Sequence, residues 1–200
     1  LNNSIIFPKI IAVSKTQPMT SILPLINHGH LDYGENKVQE AIGKWENIKS
    51  DFSHINLHMI GKLQSNKVKY VISLFDYIHS LDNLKLAEKI SSEQIKQNKK
   101  IKIFIQINIG DELQKNGVSP LNLDKFYKQC TQDLGLNIIG FMCLPPNNTN
   151  VSSYFLKMQN LKMNFNLPEL SMGMSNDYLD AIKFQSTFLR IGSKIFGQRD

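Results

Sequence analysis

The chain has 200 residues, of which 42% are hydrophobic, and a net charge of +6. This length supports one substantial core, so we expect a single domain over residues 1–200. The positive charge is scattered rather than clustered, and the two cysteines lack metal-ligand spacing; neither nucleic-acid binding nor a zinc site is indicated. The apolar amino-terminal run is interrupted by Pro8 and Lys9 and has no signal-peptide cleavage pattern, which predicts a cytoplasmic protein without a membrane span.

Short apolar and β-branched runs predict eight strands that alternate with helices. The predicted strands cover residues 10–13, 31–33, 57–60, 77–80, 101–107, 137–142, 170–172 and 188–191. The predicted helices cover residues 20–28, 38–48, 82–97, 121–134, 152–165, 178–184 and 194–196, with one more opening at residues 64–67. Ser65 and Asp82 are expected to cap two of these helices.

Eight βα units in this length predict an α/β protein with a single TIM (β/α)8 barrel, close to the lower size limit of that fold. A doubly wound open sheet is the competing architecture. It does not usually need eight parallel strands in so short a chain, and no glycine-rich nucleotide-binding loop follows any predicted strand.

Lys15 follows the first predicted strand directly, and a lysine at the end of a buried strand has two interpretations. Its aliphatic stem can cover apolar surface while the ammonium stays in water. Alternatively, it is a desolvated amine of lowered pKa that forms a Schiff base with a carbonyl compound. The strand alone favours the first interpretation.

Other polar and small residues also follow the predicted strands. In a barrel of this kind the carboxyl ends of the strands meet at one face, where the chemistry occurs. Each residue taken alone is explained by capping, a turn or a satisfied core position, but their joint placement indicates a site. They are Lys15, residues 34–36, His58, Gly61, Ser80, Asn108, residues 171–175, Arg190, Gly192 and Ser193.

The last two strands predict a phosphate site. Gly192 and Ser193 precede a short helix, whose first backbone N–H groups suit an anion, and Ser175 adds a hydroxyl. With Lys15 and Arg190 at the same face, the expected ligand is a phosphorylated aldehyde, and pyridoxal 5'-phosphate is the obvious example.

Five segments resemble the signature sequences of the pyridoxal phosphate homeostasis proteins. They are AVSKT at 12–16, YGENKVQE at 33–40, HMIGKLQSNK at 58–67, LSMGMSND at 170–177 and RIGSKIFGQR at 190–199. The resemblance implies a fold-type III barrel similar to the N-terminal domain of alanine racemase. Gln185, where the family is expected to have glycine, and Asn116, where serine is expected, depart from the pattern.

The same resemblance implies roles for individual residues. Lys15 would carry the imine, and Arg190 would face the pyridine nitrogen. Ser175, Gly192 and Ser193 would hold the phosphate. The remaining implied cofactor-binding residues, which would line the pocket, are Asn36, His58, Ser80 and Met172.

Three functions remain open. The resemblance implies a non-catalytic pyridoxal phosphate binding protein of intracellular cofactor homeostasis, with PLP-dependent apo-enzymes as its partners. An arginine at the pyridine nitrogen fits this, because it leaves the cofactor a weak electron sink. The sequence also leaves no room after the eighth unit for the domain that carries the second base of alanine racemase. No long apolar surface stripe requires a partner subunit, so we expect a monomer. The alternatives are an amino-acid racemase with a solvent or pocket base, and a phospho-ligand barrel without an imine.

Overall fold

The computed structural model describes residues 7–112, 116–146 and 150–197 and contains a closed barrel of eight parallel strands. Each strand pairs with the next in the sequence, and the last strand pairs with the first, with Ile11 beside Arg190. The predicted TIM barrel is confirmed. Residues 113–115 and 147–149, in two predicted loops, and residues 198–199 of the last motif lie outside the described residues.

The strands are β1 (Lys9–Val13), β2 (Asp32–Glu35), β3 (Asn56–Met59), β4 (Tyr77–Leu81), β5 (Lys102–Ile107), β6 (Ile138–Cys143), β7 (Glu169–Met174) and β8 (Phe188–Ile191). The helices are α1 (Met19–Asn27), α2 (Val38–Asp51), α3 (Val68–Leu74), α4 (Leu84–Gln97), α5 (Leu123–Lys128), α6 (Val151–Asn164), α7 (Tyr178–Lys183) and α8 (Ser193–Phe196). Short 3-10 turns precede α3 and α5, and α5 continues into a π-helical turn. Within the described parts of the chain, no helix is both long and apolar enough to cross a bilayer.

The apolar core has two layers, because successive strand residues point to opposite faces of the sheet. Residues from β1, β4, β5, β6 and β8 contact one another across the barrel and fill its interior; they are Ile11, Tyr77, Phe104, Met142 and Phe188. A larger cluster lies between the strands and the surrounding helices and includes Trp45 of α2 and Phe155 of α6, both fully buried. The interior layer supports the face where the strands end.

Both predicted helix caps are wrong. Ser65 is the first residue of a 3-10 turn and makes no capping hydrogen bond, because the helical backbone already includes it. Helix α4 begins two residues after Asp82, so Asn83 has the extended conformation of a cap, and its Oδ1 accepts from the Leu86 amide at 2.9 Å.

Asn83→Ala is expected to lower the free energy of unfolding by about 1 kcal/mol, because the Leu86 amide loses its acceptor. The measurement is chemical denaturation. Asp82→Ala is the matched control, since it removes only a hydrogen bond from the neighbouring Asn83 side chain. Equal effects of the two substitutions would contradict the assignment of Asn83 as the cap.

Candidate functional site

A cavity of about 1100 Å³ lies at the carboxyl ends of the strands. Six of the nine residues predicted to bind a cofactor line it together, although they come from opposite ends of the sequence. They are Lys15, Asn36, Ser175, Arg190, Gly192 and Ser193. The structure therefore brings the amine, the guanidinium and the proposed phosphate donors to one space.

The other three predicted residues are not among those that line the cavity. His58 is fully buried inside the barrel, where it stacks on Tyr77. Met172 belongs to the outer apolar layer, and Ser80 is buried, its hydroxyl having no hydrogen-bond partner among the described residues. Contact of these three side chains with a ligand stays a prediction.

The cavity wall also contains residues that the sequence analysis did not select. Val13, Gln17, Ile60 and Asp177 are among them. Val13 is the last residue of β1, so the rule that located Lys15 could have found it. Met174, the last residue of β7, belongs to the selected segment 171–175 and also lines the cavity. Asp177 orders the turn after β7, because its Oδ1 accepts from the Met174 amide at 2.6 Å.

Lys15 lies in a backbone turn that is fixed on both sides. Before it, Ser14 is fully buried, and its hydroxyl donates to Glu35 Oε1 at 2.7 Å. After it, Thr16 has a φ of 64°, an uncommon value for a β-branched residue, and its amide donates to Glu40 Oε1 at 2.5 Å. Strain of this kind persists only where surrounding contacts impose it, and it recurs at functional sites.

The contacts around Lys15 converge on one cation, Lys44 of α2. Its ammonium donates to the Ser14 carbonyl at 2.8 Å, to Glu35 Oε1 at 2.9 Å and to Glu40 Oε1 at 3.0 Å. Trp45 Nε1 also donates to Glu35 at 2.9 Å. We call Ser14, Glu35, Glu40 and Lys44 the anchoring cluster; it holds the Lys15 turn against α2.

Arg190 supplies a fixed positive charge in the cavity wall. The residue is 5% exposed, and its Nη1 and Nη2 donate to Ser171 Oγ at 2.6 Å and to the Cys143 carbonyl at 2.8 Å. Burial lowers the pKa of the guanidinium from its ordinary value, but an arginine keeps its proton in proteins. It can therefore donate hydrogen bonds to a ligand but cannot act as a general base.

The loops after β7 and β8 form the part of the wall suited to an anion. The Gly192 amide donates to Ser175 Oγ at 3.3 Å, which joins the two loops. Helix α8 begins at Ser193, and the first N–H groups of a helix have no acceptor within it. A hydroxyl and main-chain donors are thus within one segment of the wall.

Comparison with known proteins first defines the class. The family model for the alanine racemase N-terminal domain matches residues 6–200. Alanine racemase from Bartonella henselae, solved with covalently bound pyridoxal phosphate, has a TM-score of 0.74 and 16% sequence identity, with 97% of this chain and 55% of that chain covered. At this identity the likeness shows the fold alone: the protein is an alanine-racemase-type barrel.

Closer relatives define the family. The pyridoxal phosphate homeostasis proteins of Aquifex aeolicus and Escherichia coli K12 are 38% and 34% identical to this chain; each comparison covers 96% of this chain, and 87% and 86% of the relatives. PipY of Synechococcus elongatus has TM-scores of 0.88 without PLP and 0.86 with PLP bound, at 32% identity; 95% of this chain and 93% and 92% of those chains are covered. The chain belongs to the family of pyridoxal phosphate homeostasis proteins, which confirms the resemblance found in the sequence.

Proposed function

We propose that the protein binds pyridoxal 5'-phosphate at the barrel mouth through a Schiff base on Lys15 and takes part in intracellular PLP homeostasis without catalysing a reaction. The observation that carries the proposal is the cavity wall. It combines a lysine that follows the first strand, a buried arginine from the last strand and anion donors from the last two loops. The name of the relatives and the PLP-bound PipY structure support the same ligand.

The donor set fits the cofactor group by group. Pyridoxal phosphate supplies an aldehyde that condenses with a primary amine, with loss of water, together with a pyridine nitrogen and a phosphate. Lys15 provides the amine. Ser175, Gly192 and Ser193 provide a hydroxyl and main-chain donors for the phosphate, and Arg190 provides N–H groups for the ring nitrogen.

Arg190 is also compatible with a carrier role. Its guanidinium donates to the ring nitrogen and retains its proton, so it does not make the ring a strong electron acceptor. Asn36 would contribute to the cavity wall, whereas His58, Ser80 and Met172, which lie behind the wall, would act through their neighbours. We further propose a single-domain monomer that delivers the cofactor to PLP-dependent apo-enzymes.

The testing experiment is a visible absorption spectrum of the protein after addition of pyridoxal phosphate. The parent protein is expected to develop a new visible band, and borohydride is expected to fix the cofactor on Lys15 in a form that mass spectrometry locates. Lys15→Ala and Lys15→Arg should both abolish the band and the trapped adduct, because neither side chain retains a primary amine. Lys62→Ala is the matched control, since Lys62 is exposed and hydrogen-bonded to Asn116.

Each contrary result identifies a different error. A band that persists in Lys15→Ala would show that another lysine forms the bond. Phosphate binding without a visible band in the parent would show that the protein is a phospho-ligand barrel without an imine. Exchange of amino-acid α-protons with solvent that depends on Lys15 would show that the protein is a racemase-type enzyme.

A further inference from the structure

A chain of four hydrogen bonds crosses the barrel interior from the start of β2 to the cavity wall. His58 Nε2 lies 2.9 Å from Asp32 Oδ1, and His58 Nδ1 lies 3.0 Å from His79 Nε2. His79 Nδ1 lies 2.9 Å from Ser171 Oγ, and that oxygen accepts from Arg190 Nη1 at 2.6 Å. We call these five side chains the relay.

The two histidines lie among aromatic rings in the barrel interior. His58 stacks on Tyr77 with ring centroids 4.2 Å apart, and His79 stacks on Phe104 at 4.3 Å. Both histidines are fully buried, and burial lowers the pKa of each imidazole, that of His79 well below its ordinary value. Both rings are therefore neutral at physiological pH, and each has one N–H.

The charged ends of the relay decide which nitrogen of each ring has the proton. At the cavity end, Arg190 can only donate, so Ser171 Oγ accepts from it, and the Ser171 O–H is available to donate to His79 Nδ1. At the other end, the carboxylate of Asp32 can only accept, so His58 must donate from Nε2.

The ionisation of Asp32 follows from two opposing effects. Burial raises the pKa of its carboxyl group, but the hydrogen bonds from His58 and Asn56 and the positive charge of Lys9 lower it, and the pKa lies below its ordinary value. With Asp32 ionised, His58 Nδ1 has no proton and accepts from His79 Nε2. One proton arrangement remains, in which every bond of the relay donates towards Asp32.

Among the described residues, the positive charge of Arg190 is buried without a carboxylate beside it, and the relay connects it to one. The guanidinium is buried, yet both of its acceptors, a hydroxyl and a carbonyl, are uncharged. Across residues 7–112, 116–146 and 150–197, no carboxylate lies within ion-pair distance of it, although the charge of Asp177 acts on it from the cavity side. A buried charge is costly unless it is compensated, and hydrogen bonds aligned in one direction polarise one another.

We propose that Asp32 is a positioning residue for the ligand site: through the polarised relay it is the remote counter-charge that holds Arg190 as an oriented donor in the cavity wall. The effect on the ligand rests on the proposed function, in which Arg190 faces the pyridine nitrogen. The relay does not conduct protons to the ligand, because arginine does not release its own.

The first test is nitrogen-15 NMR of the histidine side chains in the ligand-free protein at neutral pH. The parent is expected to show both His58 and His79 as neutral rings protonated on Nε2. Asp32→Asn removes the negative charge and replaces it by an amide that can donate or accept, so a second tautomer is expected at both rings. Asp76→Asn should leave both tautomers unchanged, because Asp76 accepts from the Leu57 amide and Lys49 and acts on His58 through its charge alone, without a hydrogen bond to the relay.

The second test is the affinity of the same variants for pyridoxal phosphate. Asp32→Asn is expected to weaken binding by at least about fivefold, the lower end of usual coupling between separate sites. Asp76→Asn should bind as the parent does. A general effect of removing a hydrogen-bonded carboxylate would appear in both variants, and that outcome would overturn the proposal.

Other outcomes are equally decisive. A His79 ring protonated on Nδ1 or a charged His58 in the parent would overturn the proposal without any variant, so it stays falsifiable even if Asp32→Asn does not fold. Unchanged rings or unchanged affinity in a folded Asp32→Asn would also overturn it. If the parent binds no pyridoxal phosphate, the proposed function fails, and the ligand-free spectra alone decide the polarity of the relay.

Discussion

Lys44→Met is expected to lower the free energy of unfolding by about 3 kcal/mol, the usual cost of leaving a buried charge without its partner. The Glu35 side chain is fully buried, and the Lys44 side chain is only 10% exposed. Methionine retains most of the apolar stem but removes the cation that contacts Ser14, Glu35 and Glu40. Chemical denaturation measures the loss.

Lys128→Met is the matched control for Lys44→Met. Lys128 pairs with Asp124 at the same four-residue spacing that separates Lys44 from Glu40, but the side chains of Lys128 and Asp124 are both mostly exposed. An exposed pair contributes less than about 1 kcal/mol, so this variant should be nearly as stable as the parent. Combining Lys44→Met with Glu35→Gln should cost less than the sum of the single changes, since the amide leaves no buried charge. Equal losses at Lys44 and Lys128 would contradict the anchoring cluster.

Gly61→Ala is expected to lower the free energy of unfolding by about 2–3 kcal/mol, which is at the upper end for overpacking. An added methyl carbon at this position would lie 2.7 Å from the Cα of Asn36, well inside the distance at which two carbons repel. The obstacle is backbone rather than a flexible side chain, so relief requires movement of the segment after β2. Asn36 lines the cavity, and ligand affinity should therefore fall together with stability.

Gly43→Ala is the control for Gly61→Ala. Gly43 lies in α2, and an added methyl carbon there would meet no atom within 4 Å. Alanine is the better helix former, so this variant should be more stable by up to about 1 kcal/mol. Opposite signs at the two glycines are the expected result. A neutral Gly61→Ala would mean that the β2 and β3 loops do not approach as closely as the structure shows.

The barrel and one part of the site follow from local sequence. Each strand is a short apolar run, and the fold places every strand end at the same face, so Lys15 and Arg190 are predicted to meet without any knowledge of distance. Strand bounds were less accurate, because apolar character does not show where pairing stops. Strand β7, for example, was predicted over residues 170–172 but extends over Glu169–Met174.

His58 shows that the distance of a side chain from the cavity is harder to predict than the sheet face on which it lies. The alternation of β3 puts its side chain on a different face from Leu57 and Met59. It does not reveal that the ring lies below the cavity, because that depends on the rings stacked on it, such as Tyr77. The prediction from strand ends therefore grouped His58, which lies inside the barrel, with residues that line the cavity.

The relay and the anchoring cluster show which polar contacts cannot be predicted from local sequence. The i,i+4 pair of Glu40 and Lys44 is readable from spacing on a helix, but the buried partner Glu35 is not. His79 and Ser171 are 92 positions apart, and nothing in the local sequence of either residue indicates the other. Such contacts exist only once the tertiary fold is fixed.

At Gln185 the tertiary structure imposes a backbone conformation that the residue type does not favour. The position was expected to be glycine, and the backbone there has a φ of 61°, a conformation that glycine adopts without penalty. The chain keeps this left-handed turn between α7 and β8 with a side chain present. The turn geometry is thus imposed by the flanking elements rather than by the residue within it.

The pairing of β8 with β1 has a consequence for how the protein matures. Ile11 and Arg190 are in register on adjacent strands, so closure joins the beginning and the end of the described chain. Contacts between segments so distant in the chain form slowly, and on a ribosome β8 emerges last. Until β8 has emerged, β1 and β7 each lack the strand that pairs with them in the closed barrel.

In the proposed function the ligand stabilises only the closed state, because Arg190 lies on β8 and Lys15 follows β1, the two strands that meet at closure. Pyridoxal phosphate is therefore expected to slow unfolding of the protein without accelerating its folding. The lifetime of the folded protein would then depend on the supply of its ligand, without any change in gene expression.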